Sequence, residues 1–420
     1  MGRLHYGLPV PRTWEAGEPY IFKVFAAPGK APGWCDLFFL AVRRRGNPAP
    51  RYGMVSPNLL VCVDDGDGGR DRVKATQQAL EAVLADMAAH YDVGQWSDVQ
   101  PVANGFRVAA EAGQFLVAVS PAGRSDASLR FEAMLLAHLE DRACLAPRLV
   151  RTRTGRPWHQ SVAGAAVLVS EWVEGGAVDA SLAHHRRRSV RALAEYHAAV
   201  RPFPPRLRVE GGPTLFTLEQ EGPAALEAFA GLSGWYLDAD GRQRLRSASS
   251  YLWRQYIRVP ELLTAGGATL PRLVIHGGFG RAAVVLDGGR PGFPADGLAG
   301  FDRSRYDLRA LDLAGALKTF ARAPGGFDLD RCADVMAAYD EVDRLSPGEV
   351  AALPIILRVE RLVRIFRLTS GFVLRFDESG PGESVVHEIV DVAEAEATRL
   401  RWLEENELAL IQALSSSLVG

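Results

Sequence analysis

Val274-Ile275-His276-Gly277-Gly278-Phe279-Gly280-Arg281-Ala282-Ala283-Val284-Val285-Leu286-Asp287 decides how the chain is read. An apolar strand signal ends in a run of glycines and resumes at Val284, and a Gly- and Pro-dense segment continues to Asp302. A glycine-rich loop between strand signals, set among helices, is where binding and chemistry concentrate, because its backbone can approach a ligand closely. A β-hairpin that merely caps the helices fits the same residues.

On both sides of this segment the apolar periodicity is helical. It predicts helices over 189–200, 223–230, 245–259, 312–321, 330–343, 347–374 and 384–415, with Ser346 and Glu349 spaced as a capping box. Toward the amino terminus the pattern turns to strands, over 102–110, 114–120 and 167–173, with a helix at 128–141. Glu174-Gly175-Gly176 then reads as a hinge. Further strands are expected at 20–25, 36–42 and 59–63 and a helix at 73–91. The organisation expected is an α/β chain with an extra amino-terminal α/β segment over 1–92, a sheet-rich lobe over 93–175 and a helical lobe over 176–420.

Composition narrows the function. The 420 residues are 48% hydrophobic and 23% charged, which excludes a disordered, collagenous or coiled-coil chain. The 48 basic and 50 acidic side chains leave a net charge of -2, so nothing draws the protein to nucleic acid or to an anionic membrane. Cys35, Cys62, Cys144 and Cys332 form no CxxC pair and have no zinc-ligand spacing, as expected of thiols in a reducing compartment. The start of the chain has no apolar run of signal-peptide length, and no window suffices to span a bilayer, so a cytoplasmic location is expected.

The ordered set of His276-Gly277, Gly300-Phe301-Asp302-Arg303 and Arg309-Ala310-Leu311-Asp312-Leu313-Ala314 resembles the aminoglycoside phosphotransferase and choline or homoserine kinase-like family. Phe131-Glu132-Ala133 resembles the family's first helix, Ser170-Glu171-Trp172-Val173-Glu174-Gly175 its hinge, and Leu193-Ala194-Glu195-Tyr196-His197 a supporting helix. The likeness runs from about Val93 to Ala413 and implies a bilobal protein-kinase-like fold.

The resemblance also implies where phosphoryl-transfer groups belong: a strand cation on the phosphates, a loop Asp for the substrate proton, and a loop Asn and a later Asp on Mg²⁺. Here those positions hold Ala118, Gly278, Ala283 and Gly300. His276, Phe301, Asp312, Glu132 and His197 stand at framework positions, and His276 is expected to support the loop by packing. The expectation that follows is a cleft with no cofactor and no metal, degenerate for phosphate transfer, that binds a peptide or small metabolite. It would act as scaffold, beside a partner enzyme of the same pathway, or as a repurposed enzyme such as a cyclase. The alternative is an active ATP-dependent small-molecule phosphotransferase with displaced catalytic residues, in which Asp287, Asp296 and Asp302 hold the metal and Arg281 replaces the cation.

His276 and Asp302 are the candidate catalytic side chains, and Glu132, Glu171, Trp172, Arg281, Arg303, Arg305, Tyr306, Trp253 and Tyr256 the candidate ligand contacts. Trp253 and Tyr256 fit helix packing equally well. The His184-His185-Arg186-Arg187-Arg188 run is expected to cap an exposed helix as a solvated face. Pro19 to Val24 followed by Cys35 to Leu40 resembles a strand pair of the effector-like lyases that partner such kinases in lanthipeptide and thioamitide pathways, which would place the chain in bacterial peptide modification. An extra sheet on the small lobe fits those residues too.

Overall fold

A computed structural model describes residues 39–42, 51–54, 84–85, 88–102, 105–120, 125–160, 166–204, 222–223, 226–227, 237–259, 270–287, 296–373 and 383–416. Most of the 1–92 segment, including the strands expected at 20–25 and 59–63, lies outside them. The short strands β1 (Phe39–Val42) and β2 (Arg51–Met54) pair antiparallel. Phe39–Val42 falls within the strand expected over 36–42, and Arg51–Met54 is a strand that was not expected.

The small lobe is an antiparallel sheet in the order β3 (Trp96–Val102), β4 (Gly105–Ala110), β5 (Gly113–Ser120), β8 (Ala166–Glu171) and β6 (Leu149–Val150), with β7 (His159–Gln160) also on β8. What reads as one strand over 102–110 is the junction of β3 and β4, whose register closes at Val102↔Gly105. Ala166 to Ser170 are all buried because β8 has partners on both edges and side chains packed on both faces. Val167 and Val169 join Tyr91, Val93, Val108, Phe115 and Val117 on one face. Leu168 and Ala166 point the other way, onto Leu129 of helix α1 (Asp126–Asp141). Ser125 caps α1, accepting from the Ser128 N–H at 3.2 Å.

The large lobe is helical: α2 (Ala183–Val200), α3 (Ala239–Ile257), α4 (Arg309–Phe320), α5 (Leu329–Asp340), α6 (Pro347–Val373), α7 (Glu383–Glu405) and α8 (Glu407–Ser415). Leu193, Tyr196, Leu313, Leu317, Tyr339, Leu353, Leu357, Val390 and Leu400 are among the side chains of its core. Each buried Leu contributes about 1.5–3 kcal/mol. Between the helices run β9 (Arg272–Ile275), β10 (Val284–Val285), β11 (Gly297–Leu298) and β12 (Arg305–Leu308), with β9 paired to β12 and β10 to β11. Among the described residues no helix is long and apolar enough to cross a membrane.

Three helix predictions differ from what is seen, and α3 begins at Ala239 rather than at 245. α2 begins at Ala183, so the His-Arg run forms its first turns, with His184 and Arg187 exposed as expected and Arg186 turned inward. Arg186 is buried and donates to the Ala180 and Ser181 carbonyls at 3.1 and 2.8 Å. The final helix is two helices, because the Asn406 side chain donates to the Trp402 carbonyl (2.9 Å) and competes with the helical backbone.

Candidate active site

β9 delivers His276 and Gly277 to the centre of the molecule, and their undersides are fully held. Asp312, in the first turn of α4, accepts the His276 N–H at 2.6 Å and the Gly277 N–H at 2.9 Å. Its carboxylate also meets His197 Nε2 at 3.1 Å, and His197 Nδ1 lies 2.6 Å from the Tyr339 hydroxyl. Tyr339 donates to Asp343 (3.0 Å), Arg309 donates to Asp343 (2.6 Å) and to Glu349 (2.7 Å), and Glu349 accepts from the Ser346 N–H (3.0 Å). One buried chain of polar contacts therefore runs from the glycine turn to the capping box of α6. Burial pushes the Asp312 carboxyl up, but the hydrogen bonds from His197 and from the His276 N–H outweigh it and hold its pKa below the ordinary value.

His276 is 1% exposed. Its Nε2 lies 2.9 Å from the Ala299 carbonyl, and Nδ1 faces the Gly278 N–H at 3.3 Å, which assigns the proton to Nε2 in a neutral ring. Burial lowers its pKa against the opposing pull of Asp312 and Asp302. His276 supports the turn, as expected, and its ring has no nitrogen left for substrate.

The upper side of the turn is different. Gly277 has φ +71°, and a Cβ there would fall 2.2 Å from the Arg303 carbonyl oxygen and 2.8 Å from Arg305 Nη1, so no larger residue fits. Gly300 is left-handed, with φ +79°. A Cβ on Gly278 would lie 3.3 Å from Arg303 Cδ, so the exposed Arg303 side chain passes close over Gly278. Asp302 and Arg303 sit in the short turn Phe301–Arg303, and Arg281 and Ala283 in the turn Arg281–Ala283. The Ala283 carbonyl accepts from the Ala299 N–H at 2.8 Å, which ties the two turns together.

The residues present do not fit the family's metal set. Asp287 and Asp296 are both engaged by Arg188, through Nη2 at 2.7 Å and Nε at 2.8 Å. Among the described residues no three His, Cys, Asp or Glu side chains are grouped to hold an ion. The expectation that Asp287, Asp296 and Asp302 jointly hold a metal is corrected on that ground.

Ala118 of β5 pairs with Leu168 and packs beside Leu129, Leu149 and Trp158, in an apolar patch. Glu132 lies one turn along α1 from Leu129 and is 8% exposed. At the hinge the Glu171 N–H donates to the Arg148 carbonyl at 2.8 Å, and Trp172 lies under the Arg107 guanidinium at 4.9 Å. Gly176 and Leu286 exchange backbone hydrogen bonds of 2.6 and 3.2 Å, joining the hinge to the strand after the turn.

The structure thus brings His276, Gly278, Ala283, Gly300, Asp302, Arg303 and Arg305 together, with Arg281 on the adjoining turn. Arg305 is turned down toward Asp307, Nε to Oδ2 2.9 Å. Tyr306, next along β12, points to a separate cavity beside Arg201 and Arg309. Trp253 and Tyr256 stand on α3, which packs on α7, with ring centres 6.1 Å apart. Sequence reasoning missed Arg188, Arg309, Tyr339 and Asp343; the one signal for them was the Ser346–Glu349 box, whose Glu is also the partner of Arg309.

The hinged sheet, the helical lobe and the anchored glycine turn define a bilobal kinase-like phosphotransferase fold. The profile of the phosphotransferase enzyme family matches residues 102–345, and the chain belongs to that family. The homoserine kinase of Methylobacterium radiotolerans is 30% identical over 291 residues, 67% of this chain and 83% of that protein. That of Parvibaculum lavamentivorans is 28% identical over 291 residues, 67% of this chain and 81% of the relative. In fold, the chain superposes on a microcompartment-associated aminopropanol kinase with a TM-score of 0.57 at 17% identity, covering 81% of this chain and 99% of that one. An aminoglycoside phosphotransferase from Alicyclobacillus acidocaldarius gives a TM-score of 0.56 at 18% identity, over 78% and 94%.

These relatives correct the functional expectation. Proteins matched along four fifths of their length bear the name homoserine kinase. They favour the small-molecule phosphotransferase over a scaffold, pseudokinase or cyclase, and they take away the placement in lanthipeptide or other peptide modification.

Proposed function

We propose that the chain transfers the terminal phosphoryl group of ATP to the hydroxyl of a small amino alcohol or hydroxy amino acid, homoserine being the first candidate, in the cytoplasm where ATP is made. The observation that carries this reading is the anchored His276-Gly277 turn with Asp302 and Arg303 at its upper side, in a chain whose relatives are named homoserine kinases. Asp302 is the carboxylate besides Asp312 whose charge acts on His276, and it takes the role of accepting the hydroxyl proton. Arg303 and Arg281 supply positive charge toward the phosphate oxygens. No step is assigned to a metal ion, since the described side chains do not form a set to hold one.

The test is ADP release and ³¹P NMR with ATP and a panel of L-homoserine, aminopropanol, ethanolamine and choline, each with magnesium and with chelator. A new phosphomonoester resonance with one alcohol is the expected result. ADP release no faster with any alcohol than with water alone would refute it.

A further inference from the structure

The second half of α4 lies along the glycine turn. A Cβ on Gly315 would fall 3.2 Å from the Phe279 carbonyl oxygen and one on Gly280 3.6 Å from Thr319 Oγ1, and the Phe279 and Phe320 ring centres are 6.2 Å apart. Lys318, on the same stretch, is paired with Glu360 of α6 at 2.8 Å. The end of α4 and the turn of α6 that it meets therefore border the loop that carries Gly280 and Arg281, and α7 packs on α6 behind them.

Charge is unevenly divided along this border. Glu396 of α7, 1% exposed, accepts from Arg361 of α6 at 3.2 Å and from Arg399 at 2.5 Å, and Arg364 Nε lies 3.7 Å from the same carboxylate. The charge of Arg322, two residues past the end of α4, also acts on Arg361. Four guanidinium groups thus converge on one carboxylate, while Lys318 and Glu360 cancel. Burial and the three neighbouring guanidiniums lower the Arg361 pKa against the pull of Glu396. Its Nε is enclosed and has no acceptor among the described residues. Glu396 neutralises one cation, Arg361, which is buried with it. Arg364 and Arg399 each give it a single nitrogen and keep further N–H groups, and Arg322, exposed, makes no ion pair among the described residues. Guanidinium forks suit a second carboxylate. None of these arginines stands on the sheet of the small lobe, where the family resemblance puts the cation for the nucleotide phosphates, so the anion they fit belongs to the other reactant.

We infer that Arg322, Arg364 and Arg399 bind a carboxylate of the acceptor, so that the alcohol phosphorylated is a hydroxy amino acid and not an amino alcohol. The inference rests on the phosphotransferase reading above and narrows its substrate class.

Two pairs of compounds differ by one carboxylate alone: L-homoserine with aminopropanol, and L-serine with ethanolamine. Calorimetric titration of the full chain with all four, in wild type, R322A, R364A and R187A, reads binding without turnover. Binding of at least one amino acid, at least tenfold weaker binding of its decarboxylated counterpart, and a loss of about tenfold or more in R322A, R364A or both are expected, since a charge-assisted hydrogen bond is removed. R322A and R364A alter exposed side chains, and thermal melting monitors their fold; R187A removes an exposed cation of α2 and should bind as wild type does. Failure of both amino acids to bind, equal binding within each pair, or binding kept in both R322A and R364A would overturn the inference. ADP release by the same proteins separates it from the reading beneath it. A rise in the KM for ATP in R322A and R364A, with that for the acceptor unchanged, would assign the cluster to phosphate and also overturn the inference. Carboxylate-dependent binding with transfer to no alcohol would refute the phosphotransferase reading and leave the carboxylate site standing.

Discussion

The two sides of the His276-Gly277-Gly278 turn obey different rules. Beneath it, Asp312, His197, Tyr339, Asp343, Arg309 and Glu349 satisfy one another in a buried chain, and a change in one member leaves another without its partner. Above it, Gly278, Ala283 and Gly300 present little beyond backbone, and charge comes from side chains such as Arg303 that reach in from the neighbouring turn. The lower side holds the turn in one shape; the upper side decides what the turn can do. A family framework and an altered chemical surface can therefore meet on three consecutive residues.

Substitutions beneath the turn should cost the most stability. D312A strips the acceptor from two backbone N–H groups and from His197, and R309M leaves Asp343 and Glu349 as buried acids without that cation; each is expected to destabilise by about 3–5 kcal/mol, measured by urea denaturation. A loss under ~1 kcal/mol would mean that the network is dispensable and the comparison wrong.

Above the turn the expectation is reversed. D302N should lower phosphoryl transfer by about 10²–10⁴-fold, the range for loss of a general base, with a melting temperature close to wild type. Activity equal to wild type would remove Asp302 from the mechanism.

The pH dependence sharpens the contrast. Burial lowers the His276 pKa, so the folded state favours the neutral ring. Its contribution is complete above the unfolded value of about 6.5 and is lost as the pH falls from there through the lowered folded value. Stability should therefore decline on acidification below that point, and less steeply in H276N. Equal slopes in the two proteins would show that another group titrates. The smallest effect belongs far from both sides: Arg187 and Glu341, half exposed and 2.6 Å apart, should contribute under ~1 kcal/mol, and R187A should leave the denaturation midpoint nearly unchanged.

The legible part of this architecture was the part where chemistry and spacing coincide. His276, Asp312 and His197 stand at motif positions, and Ser346 with Glu349 forms the expected cap, with Ser346 Oγ 2.9 Å from the Glu349 carboxylate. Arg309 meets Asp343 and Glu349 across 34 and 40 residues, a distance at which no local pattern operates. Tyr306 was grouped with Arg305 as a cleft residue, although adjacent residues of a strand face opposite ways; that alternation sends Arg305 toward Gly277 and Tyr306 into the arginine-lined cavity. The His-Arg run read as solvated because three neighbouring cations have no partner in sequence, whereas Arg188 finds Asp287 and Asp296 a hundred residues later. Functionally, the glycines and alanines at the positions aligned with the family's charged groups argued for an abandoned activity, and relatives named homoserine kinase count against that reading.

The central proposal is that the turn serves phosphoryl transfer with Asp302 as its general base. Single-turnover transfer from γ-labelled ATP to L-homoserine or the best alcohol of the panel, compared between wild type and D302N at matched folded fraction, tests it most directly. The account predicts labelled phosphomonoester in wild type and its near-complete loss in D302N. No label on any alcohol in wild type, or equal labelling in both proteins, would contradict it.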